Sequence, residues 1–543
     1  MPLDTPVRVA RELASRGYNA EREAVTLLAA GADPVAAIER TLEVVPGDAF
    51  TVTREHVRAA VGDPVARPGV APTERGPTDP DTSAASADSP PETKGSVVRQ
   101  DGPTTTASTE PSTASTTTPT PTLATAPTAD AAERPARSAS RPGGGLVVRR
   151  DMTGDSTGTG VYEDFVAVFR DRYEQLSKLL RGRVTHRPTS AIRGMSGGAE
   201  TACIGMVSDI RSTTKGHWLV ELEDPSGTFP CLVSKRSDAA SAVDTLLLDE
   251  VVAVEGRLAD DAGILFVDAL HFPDVPRTFQ PTTADRPVQA ALVSDLHVGS
   301  QEFLADAWEA FARWLHTEEG ARVEYLCIAG DMVEGVGVYP GQEDELDIID
   351  VFDQYEAFAE HLKAVPGDLE IVMIPGNHDA VRLAEPQPGF DEELRDIMAA
   401  HDARVVSNPA TVELEGVSVL MYHGVSLDEI IAELPADLAS YDEPHKAMYQ
   451  LLRKRHVAPQ FGERTRLAPE RRDHLVIDQV PDVFHSGHVH KLGIGRYHNV
   501  TVVNSGCWQA QTAFQRRVNI DPDAGFAPIV DLDTLDVTVR KFS

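Results

Sequence analysis

The stretch Ser294-Asp295-Leu296-His297-Val298-Gly299, at the end of the apolar run Val288–Val293, decides how this 543-residue chain is read. A short buried strand that ends by presenting an Asp and a His two positions apart, hence to one side, is a platform for metal ligands. Asp-x-His also occurs by chance, so the weight lies in four clusters downstream. Each groups His, Asp or Asn at the end of a predicted strand: Gly330-Asp331, Gly376-Asn377-His378-Asp379, Tyr422-His423-Gly424 and Gly487-His488-Val489-His490. Ligands of an α/β domain collect beyond the carboxyl ends of its strands, and every cluster sits there. Asp295, His297, Asp331, Asn377, His378, His423, His488 and His490 together could ligate two divalent ions and leave one His spare. Carboxylate, imidazole and amide oxygen without thiolate suit Mn²⁺ first, then Fe²⁺, Zn²⁺ or Mg²⁺, rather than Ca²⁺. One bridging carboxylate would set the ions roughly 3.5–4 Å apart, the spacing that serves phosphoryl displacement. Asp379 is expected to orient a ligand, because a ligating His donates its other N–H to a carboxylate or carbonyl. Glu334 reads as a helix-start or solvent residue.

Around these clusters, residues 287–543 alternate apolar strands with amphipathic helices: strand 288–293, helix 303–316, strand 323–329, helix 344–364, strand 369–374. Later strands are expected at Thr411–Glu415, Val417–Tyr422, Asp482–His485 and Val500–Asn504, with a hairpin around Ile529–Arg540. The pattern predicts a mixed sheet pair covered by helices.

Upstream, residues 200–280 hold a run of short strands: Cys203–Ile210, His217–Glu223, Phe229–Val233, Glu250–Leu258 and Ile264–Leu270. Turn signals part them, with one longer excursion after the third, which predicts a Greek-key OB-type barrel. Such a barrel binds single-stranded nucleic acid or is purely structural; Trp218, Phe229 and Phe266 are its candidate stacking aromatics. Residues 159–199 form a helical lead-in whose Phe165, Phe169, Tyr173, Leu176 and Leu180 share one face, read as core packing. Residues 62–158, rich in Ser, Thr, Pro, Ala and Gly, cannot bury enough apolar area to offset ordering entropy and read as a disordered linker. Residues 1–61 read as a small helical domain with helices at Val7–Arg16, Glu21–Ala29, Pro34–Leu42 and Thr53–Val61. The fold class is therefore multidomain α+β.

The net charge of −34 ordinarily argues against a nucleic-acid partner. Here the acid is spread along the chain, with nine lysines against 41 arginines. A diffuse acidic surface poor in Lys resembles proteins of salt-loving archaea, where molar salt screens charge to about 3 Å. Global charge then says little about partners. No run of 18 apolar residues and no signal pattern is present, so a cytoplasmic chain with no membrane span is expected. The scattered Cys203, Cys231, Cys327 and Cys507 contain no CxxC pair and read as buried free thiols.

The blocks DxH, GD, GNHD, a lone H and GHxH, in that order, resemble the calcineurin-like metallophosphoesterase pattern. That resemblance implies one ion on Asp295, His297, Asp331 and His490, and a second on Asp331, Asn377, His423 and His488. Asp331 would be the bridge and His378 the free proton donor. Pro375–Pro388 (PGNHDAVRLAEPQP), Asp350–Tyr355 (DVFDQY) and Val503–Gln509 (VNSGCWQ), behind an OB-type barrel, closely resemble the small subunits of archaeal family D DNA polymerases. The resemblance runs from about residue 160 to the end. It implies a 3′→5′ exonuclease that proofreads for a catalytic large subunit, acts on frayed or single-stranded DNA 3′ ends, and has a sliding clamp as a further candidate partner. The competing expectations are a non-catalytic scaffold with a vestigial site and a stand-alone metallophosphodiesterase. No second carboxylate constellation or nucleotide-binding loop suggests polymerisation by this chain.

Overall fold

A computed structural model describes parts of residues 9–61, residues 122–125, and residues 145–543 except 156–159, 340, 399–401, 463–464 and 518–519. The chain divides into two compact units, Met1–Ala114 and Ser115–Ser543. Within the first, helices Arg22–Ala30, Pro34–Val44 and Arg54–Val61 bury Leu28, Ile38 and Val57, and Asn19–Ala20 pairs in parallel with Thr51–Val52. Pro34 opens its helix, where a missing N–H costs nothing. The expected helix Val7–Arg16 lies largely outside the described residues.

The second unit reaches further back than composition suggests. Most of the expected disordered linker, 62–158, lies outside the described residues, but two of its described pieces belong to sheets. Leu146–Arg150 pairs antiparallel with Ala410–Leu414, and Thr122–Thr125 pairs in parallel with Asp536–Lys541. Leu146 points into the core while Val147 is exposed. That alternation is too short to register against the surrounding Ser, Thr and Pro, yet it suffices once a sheet edge is offered.

Helix Tyr162–Leu180 packs Leu176 and Leu180 against Ala202, Ile204, Val251 and Ala253. Those residues belong to a closed barrel of Glu200–Ser212, Trp218–Asp224, Gly227–Val233, Val251–Leu258 and Leu265–His271. Its strands are joined in the order first, second, third, fifth, fourth, and a parallel contact of Cys231–Val233 with Leu265–Val267 closes it. Of the expected stacking aromatics, Phe229 is 2% exposed and fills the barrel core; Phe266 is 47% exposed.

The rest is a two-sheet sandwich. One sheet runs Arg404–Val405, Glu370–Ile374, Val323–Ala329, Gln289–Val293, Phe526–Asp531 and Asp536–Lys541, then Thr122–Thr125. The other runs Leu492–Tyr497, Val500–Ser505, Val483–Ser486, Val417–Met421, Ala410–Leu414 and Leu146–Arg150. Alternation sorts the side chains. Tyr325, Cys327 and Ala329 face the space between sheets, with Ala290, Leu292, Val372, Val419 and Val503. Leu326 and Ile328 face outward, onto helices Ala305–Leu315 and Val351–Lys363 through Trp308, Phe311, Tyr355 and Phe358. Helix Pro444–Lys454 covers the second sheet.

One expectation changes, and one strand is unexpected. The helix read as 344–364 begins at Val351, because Asp350 caps it by accepting from Phe352 N (3.0 Å) and Asp353 N (3.4 Å). Strand Leu492–Tyr497 is not legible in the sequence because its two glycines look like turn signals. A Cβ at Gly493 or Gly495 would collide with Pro444 or Tyr449, so the glycines let that helix lie on the strand. All four cysteines are buried and unpaired. Among the described residues, no helix is long and apolar enough to cross a membrane.

Candidate functional site

Parallel strands Gln289–Val293, Val323–Ala329 and Glu370–Ile374 end side by side, and the loops after them carry Asp295/His297, Asp331 and Asn377/His378. From the second sheet, Val417–Met421 leads to His423, and Val483–Ser486 leads to His488 and His490. Both sheets therefore deliver side chains to one edge of the sandwich. The loops are tightly wound: Asp295, His297, Asp331, His488 and His490 all have φ between 52° and 73°. Left-handed backbone at non-Gly residues costs about 1–3 kcal/mol each and persists where surrounding structure holds it for function. Gly376 is required where it stands, since a Cβ there would overlap the Asp331 carboxylate.

The side chains converge. His297 Nε2 is 3.0 Å from His490 Nε2, 3.8 Å from Asp331 Oδ2 and 4.0 Å from Asp295 Oδ1. His490 Nε2 is 3.6 Å from Asp295 Oδ1. Beside them, His423 Nε2 lies 3.2 Å from Asp331 Oδ2 and 3.0 Å from Asn377 Oδ1. Three sets each place ligand atoms within 4.8 Å of one another: Asp295–His297–His490, His297–Asp331–His378 and Asp331–His423–His488. Asp331 belongs to two of them, the position a bridge requires.

The donor set fits a cation. His423 Nδ1 faces the Ala329 carbonyl (2.8 Å), His378 Nδ1 the Glu334 carbonyl (2.8 Å), and His297 Nδ1 the Glu334 carboxylate (2.9 Å). An acceptor at Nδ1 fixes the proton there and turns the Nε2 lone pair inward. Buried lone pairs then meet carboxylate oxygens with too few hydrogens to separate them, an arrangement that positive charge resolves. The electrostatics agree. Burial opposes protonation of His297, but Glu334 outweighs it and lifts the pKa to about 9. His423 is likewise penalised by burial, yet Asp331 raises it to about 10.

A family model described as the B subunit of DNA polymerases alpha and epsilon matches residues 290–491, which contain all of these side chains. The DNA polymerase II small subunit of Halobacterium salinarum is 62% identical over 548 residues, covering 100% of both chains. The chain belongs to the archaeal DNA polymerase II small-subunit family. The Archaeoglobus fulgidus subunit is 44% identical over 388 residues, 70% of this chain and 77% of its own. The Pyrococcus furiosus subunit is 40% identical over 398 residues, 70% of this chain and 64% of its own. The Lys-poor, acidic composition accords with the Halobacterium relative.

Several residues of this family member matter more than its sequence suggests. Glu334 is neither helix-start nor solvent-facing: it is 2% exposed, because the glycines that follow it fold the loop back into the site. Its carboxylate faces His297 and accepts from Gln509 Nε2 (2.7 Å) and Gln342 Nε2 (3.1 Å), while its carbonyl holds His378. Burial would raise its pKa, but His297 overrides that and depresses it to about 2. Asp379, expected to orient a ligand, accepts from Gly376 N (2.8 Å), Tyr355 Oη (3.0 Å) and Met332 N (3.2 Å). It fastens the two loops that carry Asp331 and Asn377. Gln515 Nε2 lies 2.9 Å from His490 Nδ1, and Asp428 Oδ2 lies 3.3 Å from His488 Nε2. Neutral Gln and a surface-helix Asp carry no signal in one sequence; only the Glu334 carboxylate beside Gly330-Asp331 could raise suspicion.

Proposed function

We propose that this small subunit is a two-metal 3′→5′ exonuclease that hydrolyses the terminal phosphodiester of single-stranded or frayed DNA ends for a catalytic large subunit. The observation that carries the reading is the inward convergence of Asp295, His297, Asp331, Asn377, His423, His488 and His490 as an acceptor-rich buried cluster. Asp295, His297, Asp331 and His490 would hold one divalent ion, and Asp331, Asn377, His423 and His488 the other; Mn²⁺ suits the donors best. Bound there, such a pair supplies Lewis-acid charge to the attacking and leaving oxygens.

The chain's own residues do the rest. His378 is the most exposed imidazole of the cluster, at 17%, and its ring meets His297 edge-on at 4.7 Å. With Nδ1–H tied to the Glu334 carbonyl, Nε2 is the atom that takes up a proton from solvent and, as imidazolium, gives it to the departing 3′ oxygen. The His378 backbone N–H donates to Asp331 Oδ1 (2.8 Å), so proton donor and bridging carboxylate are held in register. An unpaired terminus enters preferentially because it costs less to unstack. The two-sheet core is read as calcineurin-like and the barrel as an OB fold, whose exposed Phe266 supports single-strand contact.

The test is release of mononucleotides from a 3′-recessed mismatched duplex in Mn²⁺, by the full chain alone and with its large subunit. Cleavage lost in Asp331→Ala with association retained supports the reading. An active Asp331→Ala sinks the site assignment, and a wild-type chain that binds no metal and cuts nothing leaves only a scaffold.

A further inference from the structure

The rim of the cluster carries an apolar feature that metal binding does not use. Short helix Ala513–Arg517 is pinned on one side by Gln515, which is buried, reaches His490 and exchanges hydrogen bonds with Thr512 (both 3.1 Å). One residue earlier, Phe514 is 44% exposed, and its ring stacks on Tyr339 at 5.4 Å with planes 25° apart. The Tyr339 hydroxyl lies 3.3 Å from Glu334 Oε1, the carboxylate that faces His297. Val336 and Val338 on the same loop are exposed, as are Arg516 and Arg517. An aromatic pair thus stands at the mouth of the site, tied through single contacts to two of the imidazoles inside.

We infer that Phe514, backed by Tyr339, is the platform on which the unpaired terminal nucleobase of a DNA 3′ end stacks as its phosphodiester enters the cluster. This rests on the nuclease reading above. Charge alone serves this chain poorly: the salt that would screen its net charge of −34 also weakens phosphate contacts steeply. Base–aromatic stacking needs no net charge and accepts every base. Both properties suit an enzyme that must trim any mismatched terminus. Tyr339 holds the platform from behind, since its ring lies under Phe514 and its hydroxyl is anchored at Glu334 and Glu345 (3.4 Å).

The experiment compares the full chain with Phe514→Ala, Phe514→Leu and Phe514→Trp on two oligonucleotides, one ending in a base-bearing 3′ nucleotide and one in an abasic 3′ nucleotide. The expected result is a loss of about ten-fold in kcat/KM, mostly through KM, for Ala and Leu on the base-bearing end. On the abasic end the loss should be under about two-fold, and Trp should retain wild-type behaviour on both. Equal loss on both substrates would mean that Phe514 merely supports His490 through Gln515, and overturns stacking. Unchanged kinetics in Phe514→Ala, or full activity in Phe514→Leu, overturns it too, as does a defect confined to large-subunit association. If the wild-type chain cuts neither substrate, the nuclease reading fails separately. Quenching of a 3′-terminal 2-aminopurine by wild type but not by Phe514→Ala would then still support stacking, and its absence would overturn it.

Discussion

Two buried polar clusters in the second unit look alike by composition and differ in how their atoms are matched. At the junction of barrel, helix and sandwich, Arg172 Nε donates to Asp473 Oδ2 (2.6 Å), and Arg172 Nη1 donates to the Pro459 carbonyl (2.6 Å). His456 Nε2 meets the same Asp473 oxygen at 2.9 Å while its Nδ1 accepts from Ala458 N (3.0 Å). Nearby, the fully buried Lys454 donates to Glu250 Oε2 (2.9 Å) and the Thr245 carbonyl (2.6 Å). Every charge there meets its opposite. At the sheet edge, by contrast, carboxylates and imidazole lone pairs face one another on left-handed backbone. A buried cluster whose opposite charges pair, as at the junction, where only Arg172 Nη2 lacks a hydrogen-bond partner, specifies structure, whereas one left with surplus acceptors is built for something that arrives.

The largest expected effect separates the two clusters outright. Asp331→Ala should reduce nuclease activity to background yet leave the unfolding transition near that of the metal-free parent. Saturating Mn²⁺, at about 100 times its Kd, should raise the parent's stability by about 2.7 kcal/mol and the variant's far less; scanning calorimetry reads both. Equal Mn²⁺ shifts would erase the distinction.

Arg172→Ala is the converse. It leaves the buried Asp473 without its ion-pair partner, facing His456 and the Leu475 N–H (2.9 Å), and breaking such a pair costs about 3–5 kcal/mol. Urea unfolding should show that loss while kcat of the folded fraction stays unchanged. Loss of activity without loss of stability would place Arg172 in the wrong cluster.

Glu334→Gln should weaken Mn²⁺ binding or activity by about 10–100-fold, the usual effect of removing the carboxylate behind a ligating His. Titration calorimetry with the folded variant checks this, and a wild-type affinity would mean that His297 is oriented by packing alone.

The smallest effect is a pH dependence of the matched cluster. Burial, then Arg172, lowers the His456 pKa to about 4 despite the Asp473 contact. The folded value lies below the ordinary 6.5, so the unfolded chain binds more protons between those limits. Stability is therefore full above about pH 6.5 and falls as the pH drops towards 4. Asp473 opposes its own burial penalty through His456 and Arg172 and is held well below the usual carboxylate range. Its stabilisation is lost at still lower pH. In Tm–pH profiles, His456→Gln should flatten the step between pH 6.5 and 4 but keep the steeper loss below it.

The same contrast explains which residues can be read early. Asp295, His297, Asp331, Asn377, His378, His423, His488 and His490 are legible because strand-end position and residue chemistry together restrict what such residues can do. Glu334, Gln509 and Gln515 are not, since their significance is a contact that local sequence leaves unstated; the one from Gln509 to Glu334 spans 175 residues. The barrel strands lie within a few residues of where they are expected because turn signals bound each apolar run. Leu492–Tyr497 escapes notice because its glycines serve a helix that the local sequence does not mention. Asp379 is placed near the site by its sequence, but its partners, a tyrosine hydroxyl and backbone N–H groups, are ones that only the folded loops bring to it.

By itself, the sequence determined the alternation that sorts side chains to the two faces of each sheet, the strand-end Asp and His residues, and the family these imply. Those follow from period, spacing and residue chemistry, which are local. Tertiary structure alone decided that Leu146–Arg150 becomes a sheet edge, that Glu334 turns inward to two imidazoles, and that Arg172 and Asp473 neutralise one another. Each of these depends on a partner distant in the chain, and a buried group's role is set by what desolvates and faces it.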